Sequence, residues 1–225
     1  MLVDLQTHTT VGSPDSVMDP AALARGAKAA GLDGVVVTEH SPCAYGEIAE
    51  ALRGAGIMFV PAREVACGGA HVLVLSADEA LLKSLPRAVD PKDERLSRSS
   101  VACVWAHPAA LGGSSAYPPN APDLAALDGV VAAVELLNGR HLHDHRAVSI
   151  AREIGEDLGL PMTGGSDAHR EEDVGRCATR FDDRLERPED VIAALRLGEG
   201  FPVLNSLWAA QHGYDYRMSL MEFLG

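Results

Sequence analysis

Four short apolar runs in this chain each end in a motif built around histidine. Residues 2–5 lead into Gln6-Thr7-His8, and residues 35–38 into Glu39-His40. Residues 101–106 lead into His107-Pro108, and residues 160–163 into Gly164-Gly165-Ser166-Asp167-Ala168-His169. Short apolar runs of this kind read as buried strands. Helical stretches separate them, and strand–helix alternation favours a mainly parallel sheet. Parallel strands closed into an α/β barrel deliver their C-terminal ends to one face, where active sites are built. Residues repeated at successive strand ends then converge in space while staying far apart in sequence.

Local signals mark the units. Asp19-Pro20 opens a helix, with Asp as N-cap and the fixed φ of Pro at the first turn. That helix runs to about residue 30, and Gly34 introduces the second strand. A second helix is expected over about 45–53, and a third strand from Ile57 to Glu64-Val65. Cys67-Gly68-Gly69 reads as a hairpin turn into a strand at 71–75. A short helix follows at 78–85, and residues 86–100 are polar and carry no assignable period. Further on, strands are expected at 130–137, 160–163 and 177–181, and helices at 143–158 and 188–197. Residues 201–204 form a last apolar run. Residues 111–122, rich in Gly, Ser and Pro, read as a loop and a candidate lid. No repeat or linker divides the chain. The expectation is a single domain over 1–225, with a barrel over about 1–205 and a tail over about 206–225 that Trp208 and Tyr214 pack down.

At 225 residues the chain is slightly short of the roughly 250 of an eight-fold barrel. Its composition, 47% hydrophobic and 23% charged, is that of a globular domain. No apolar stretch is long enough to span a bilayer, so no membrane partner is expected. The N-terminal residues lack a secretory pattern, and Cys43, Cys67, Cys103 and Cys177 show no paired spacing. Reduced thiols and a cytoplasmic location are expected. A net charge of −13 with 4% aromatic residues argues against a long nucleic acid as partner.

His8, Asp15, His40, Glu64, His71, His107, Asp167 and His169 fall at expected strand ends or in the turns after them. Neutral imidazoles and carboxylates suit zinc, manganese or iron. The set is too large for one tetrahedral ion and matches two or three divalent ions. In order along the chain, Asp4-Leu5-Gln6-Thr7-His8-Thr9, Thr38-Glu39-His40, Ala106-His107-Pro108 and Gly165-Ser166-Asp167-Ala168-His169 resemble the motifs of the polymerase and histidinol phosphatase (PHP) family. The resemblance covers nearly the whole chain, from Asp4 to about Phe181. It implies a distorted (βα)7 TIM-like barrel and a metal-dependent phosphoesterase. It also implies a three-ion cluster: Gln6, His8, Glu64 and Asp167 around the first ion, Glu64 bridging to a second held by His71 and His107, and Asp15, His40 and His169 around the third.

Two positions depart from the family pattern. Glu39 replaces the usual Asp and is expected to orient a neighbouring ligand. Gln6 stands where the first histidine belongs. Its amide oxygen is a weak, neutral ligand, so the first position is weakened, suited to a harder ion, or empty. The implied reaction is attack of a metal-activated water on a small phosphomonoester or nucleotide, with Glu64, Asp167 and His169 as the catalytic core. Arg63, Arg140 and Arg170 are candidates for gripping the substrate phosphate, with Asn138 and Ser166 beside them. His141, His143 and His145 read as a solvated helix start, although His141 and His145 have the i, i+4 spacing of a helical metal pair. The competing reading is a degenerate PHP module that binds metal without catalysis, supported by Gln6 alone. A C–N hydrolase ranks last. It calls for a His-x-His pair on the first strand and a carboxylated lysine, and neither is evident here.

Overall fold

The computed structural model describes residues 1–108 and 124–214. Its elements, in order, begin with β1 (Leu2–Thr7), α1 (Pro20–Ala29), β2 (Gly34–Glu39), α2 (Gly46–Gly54), β3 (Met58–Cys67) and β4 (Ala70–Ser76). Next come α3 (Glu79–Ser84), β5 (Ala88–Val89), β6 (Val101–Ala106), α4 (Leu124–Leu127), β7 (Ala133–Asn138) and α5 (His145–Leu158). The rest are β8 (Met162–Gly165), β9 (Cys177–Arg180), α6 (Pro188–Arg196), β10 (Phe201–Leu204) and α7 (Ser206–Gln211).

The strands form one sheet in the order β10-β9-β1-β2-β3-β4-β6-β7-β8, with β5 attached to β3. Pairs β1–β2, β2–β3, β6–β7 and β7–β8 are parallel. Pairs β3–β4 and β4–β6 are antiparallel, as are β1–β9 and β9–β10. The sheet is a nearly closed, distorted α/β barrel rather than a regular parallel repeat. The hairpin at Gly68-Gly69 explains how His71 reaches the site. It lies at the start of β4, opposite Ala66, and an antiparallel strand begins on the face where its parallel neighbours end.

Closure depends on Asp4. Its buried carboxylate accepts from the backbone N–H groups of Ser166 at 2.8 Å and Gly175 at 2.9 Å. Thr179 joins β8 to β9, its hydroxyl accepting from Gly164 N and donating to Gly164 O. The paired glycines of β8 allow this approach. A Cβ on Gly164 would lie 2.7 Å from Ala178 O, and one on Gly165 2.9 Å from Gln6 N.

Both faces of the sheet are buried, which is why its central strands read as continuous apolar runs. On β2, Val35 and Val37 join the outer cluster with Leu23, Ile48 and Leu52 of the helices. Val36, between them, joins Val3, Val60, Leu73 and Val104 inside the barrel. Val191, Ile192 and Leu195 of α6 pack into that interior cluster.

The helix starts follow their caps. Asp19, Asp78, Asp144 and Asn205 each accept from backbone N–H groups of the first turn. Because Asp144 caps α5, His141 and His143 lie in the preceding turn, and the helical His141/His145 pair does not form. The stretch 86–100 contributes β5, which pairs with β3 through Ala66 and Cys67. The loop expected at 111–122 lies outside the described residues. Trp208 of α7 is buried, and its indole N–H donates to Glu172 O at 2.8 Å. All four cysteines are free thiols. Among the described residues, no helix is long and apolar enough to cross a membrane.

Candidate metal centre

The strand ends gather the candidate ligands around one carboxylate, Glu64 of β3. Its Oε1 lies 2.7 Å from His71 Nδ1 and 3.3 Å from His107 Nε2. Its Oε2 lies 3.3 Å from His8 Nε2 and 3.8 Å from His40 Nδ1. Asp15, in the loop after β1, places Oδ2 3.4 Å from His40 Nε2 and 3.3 Å from His169 Nε2. Asp167 Oδ1 is 3.3 Å from His8 Nε2 and 3.6 Å from His169 Nδ1. Two sets of ligand atoms, His8/His40/His169 and Glu64/His71/His107, each lie within 4.8 Å of one another.

The residues present fit divalent ions. His71 Nδ1, His107 Nδ1 and His169 Nε2 are buried without a hydrogen-bond partner. For His71 Nδ1 and His169 Nε2, a carboxylate oxygen lies only 2.7 and 3.3 Å away. Such closely spaced ligand atoms, not bonded to each other, are what a cation joins. The neighbours also set the imidazole tautomers. His169 Nδ1–H donates to Asp167 O at 2.8 Å, leaving its Nε2 as a lone pair. His8 Nδ1 lies 3.2 Å from Ser13 Oγ, whose hydroxyl donates to Glu39 Oε2, so Ser13 is the acceptor from His8. Glu39 also accepts from the backbone and the hydroxyl of Thr9. It orients His8 through one intervening hydroxyl.

The electrostatics follow from burial and mutual charge. Burial acts to raise the Glu64 carboxyl, and the imidazoles of His107, His71 and His8 outweigh it, holding the group well below the usual carboxylate range. Burial likewise opposes charge on His8 and His107. Asp167 and Glu64 lift the former to about 10, and Glu64 above all lifts the latter to about 9. His107 and Asp167 are the non-glycine residues with positive φ among those described, at 30° and 53°. Strained backbone of this kind persists where surrounding contacts over-determine it.

The wall of the centre opens on a cleft of about 550 Å³ lined by Asp15, His40, Glu64, His71 and Arg87, among others.

Comparison with known proteins adds to this geometry. Residues 145–199, from α5 through α6, match the family model described as PHP-associated. No curated protein sequence matches the chain. Among solved structures, PsfC from Pseudomonas syringae PB-5123 is similar at 22% identity and a TM-score of 0.65, over 100% of this chain and 98% of that one. A protein from Bifidobacterium adolescentis assigned as a metal-dependent phosphoesterase matches at 15% identity and a TM-score of 0.56, over 86% of this chain and 96% of that one. The lesion-specific endonuclease PfuEndoQ from Pyrococcus furiosus matches at 18% identity and a TM-score of 0.56, over 90% of this chain and 57% of that one. The chain therefore matches a PHP-associated model over residues 145–199 and shares its fold with these solved structures.

One expectation falls with these findings. The exclusion of long nucleic acid as a partner is overturned, because an endonuclease shares this fold. Bulk charge describes the whole surface, whereas a nucleic-acid strand needs only a local path to the metal centre.

Three candidate phosphate contacts are also corrected by their surroundings. Arg63 is fully buried. Its guanidinium donates to the carbonyls of Glu39 at 3.0 Å, His40 at 3.0 Å, Leu82 at 3.2 Å and Leu85 at 3.4 Å. It holds the end of β2 that carries His40. Ser166 is buried, donates to Gln6 O at 3.2 Å and accepts from Ala168 N, so it braces the fourth motif. The Asn138 amide is consumed within the floor of the site, with Nδ2 2.9 Å from Glu135 Oε2. Arg140 and Arg170 remain at the rim, both exposed. A nitrogen of Arg140 lies 3.3 Å from His169 Nδ1.

Two neighbours of the centre escaped sequence reasoning. Arg87 is set beside the cleft by β5, where its carbonyl accepts from Ala66 N. It lies in a polar stretch with no period to place it. Glu135 lies on β7, fully buried, and accepts from His107 N at 2.9 Å. Burial raises its carboxyl to about 8. An acidic residue inside an apolar strand run was the available signal. Of the remaining histidines, the His141 ring lies 6.1 Å from that of His107. The His143 Nε2 lies 2.8 Å from Arg176 on the surface.

Proposed function

We propose that this protein is a PHP-family enzyme that hydrolyses phosphoesters, and that its substrate is a small phosphomonoester or nucleotide. The observation that supports this most is the gathering of four imidazoles, those of His8, His40, His71 and His107, around the two oxygens of Glu64, at the wall of a cleft that also contains Arg87. Divalent ions held by these residues would lower the pKa of a coordinated water and neutralise charge on phosphate oxygens. The chain's own residues set the geometry. Glu64 presents one oxygen to His71 and His107 and the other to His8 and His40, so it fixes the spacing of the two ligand groups. Asp167 and Asp15 hold His169 between them. Arg87 and Arg140 supply guanidinium groups for the anionic oxygens, and phosphoryl transfer is mainly positioning and charge stabilisation. The reading includes a cytoplasmic location, in keeping with four unpaired cysteines.

The test measures product release from a panel of phosphomonoesters, nucleotides and DNA oligonucleotides, with manganese or zinc added. Release in the wild type that is lost in Asp167→Ala is the expected result. Wild-type release no greater than that of the variant across the panel defeats the proposal and favours a metal-binding module without catalysis. Release confined to the oligonucleotides defeats the substrate class alone.

A further inference from the structure

We propose that Gln6 acts as a hydrogen-bond donor to Glu64 rather than as a metal ligand, so that the centre holds two ions in place of three. This rests on reading the ligand cluster as a metal centre. The orientation of the Gln6 amide follows from a chain of bonds that starts at an unambiguous donor. The backbone N–H of Arg140 can only donate, and it lies 3.0 Å from Asn138 Oδ1. Asn138 therefore presents Nδ2 on its other side, 2.9 Å from Glu135 Oε2 and 3.4 Å from Gln6 Oε1. With its oxygen facing that donor, Gln6 directs Nε2 at Glu64 Oε2, 3.1 Å away. Turning the Gln6 amide over sets nitrogen against nitrogen at Asn138 and oxygen against carboxylate at Glu64. Gln6 is fully buried, so water cannot repair either contact, and a buried donor or acceptor left without a partner is costly.

The consequence for the first metal position is chemical. A histidine there offers a lone pair, whereas Gln6 offers an N–H. That N–H occupies a lone pair of the Glu64 oxygen that also faces His8, and its dipole repels a cation. Among the described residues, imidazole and carboxylate ligand atoms cluster in the two groups His8/His40/His169 and Glu64/His71/His107, and neither group needs Gln6. Gly165 makes room for the ladder of amides. A Cβ there would meet Glu135 Oε1 at 2.7 Å and Gln6 Cβ at 3.0 Å.

The experiment strips the full-length protein with a chelator, reloads it with zinc or manganese, removes free ions and counts metal per chain by mass spectrometry. Two ions are expected in the wild type. Gln6→Glu keeps the shape and removes the donor, and Gln6→His restores an imidazole. Each is expected to raise the count to three, with thermal melting confirming that the variant is folded. Three ions in the wild type overturn this inference and leave the phosphoesterase reading intact. Two ions in both folded variants also overturn it. No bound ions in any of the proteins overturn both the inference and the metal centre on which it rests.

Discussion

Replacing Arg63 by methionine separates a structural role from substrate binding. The guanidinium is 0% exposed and donates to four backbone carbonyls. Each of these bonds is worth about 1 kcal/mol net, and an orphaned buried carbonyl costs about 1–3 kcal/mol. Relief from the cost of burying a cation offsets part of this loss. A net destabilisation of about 3 kcal/mol is expected. For a chain of this length that corresponds to a fall in Tm of about 6–12 °C. Lysine presents a point charge that cannot span four carbonyls, so Arg63→Lys is expected to lose about half as much. Thermal and urea unfolding of the metal-free proteins give the stability, and steady-state kinetics on the folded fraction give KM. A Tm within about 2 °C of wild type together with a raised KM would refute the reasoning and return Arg63 to the substrate.

Arg87→Met is expected to raise KM for a phosphorylated substrate about tenfold, equivalent to about 1.4 kcal/mol, with metal content unchanged; loss of metal would count against a substrate role. Glu135→Leu removes the acceptor for His107 N and Asn138 Nδ2 and is expected to weaken metal binding by about 10–100-fold. Glu135→Gln, which retains an acceptor oxygen, is expected to recover most of it in a metal titration. Asp4 is fully buried, and burial raises its carboxyl to about 6, against the counteracting bonds from Ser166, Gly175 and Gln6. The folded protein therefore holds a proton that the unfolded chain releases, and this contribution to stability falls as pH rises from about 4 to about 6. The gap is on the order of 3 kcal/mol. Urea unfolding of wild type and Asp4→Asn across that range should differ in slope, and parallel profiles would remove Asp4 as the cause.

The unit order was legible because each strand is buried on both faces and each helix start carries its own cap. The run at residues 35–37 and the Asp19-Pro20 cap state their conformations locally. The hairpin at Cys67-Gly68-Gly69 was also readable, since its glycines take positive φ. Antiparallel β9 and β10 were not, because strand direction depends on pairing partners distant in sequence. The same distinction divides the site. His8, His40, Glu64, His71, His107, Asp167 and His169 were recognisable as a set from residue type and position at strand ends. Arg63 and Arg87 were not separable in sequence, since both are arginines close to a strand that reaches the cleft. Packing alone turned one inward onto carbonyls and set the other beside the cleft.

Sequence by itself determined which chemistry the chain carries, because imidazoles, carboxylates and the amide at position 6 are covalent facts. It also determined the strand–helix order that brings those groups to one end of a barrel. Only the tertiary structure decided which way the amide of Gln6 faces. That orientation is set by a backbone N–H at Arg140 acting through Asn138, residues more than a hundred positions away. Hydrogen-bond direction in a buried site is a property of the whole network, and no single residue carries it.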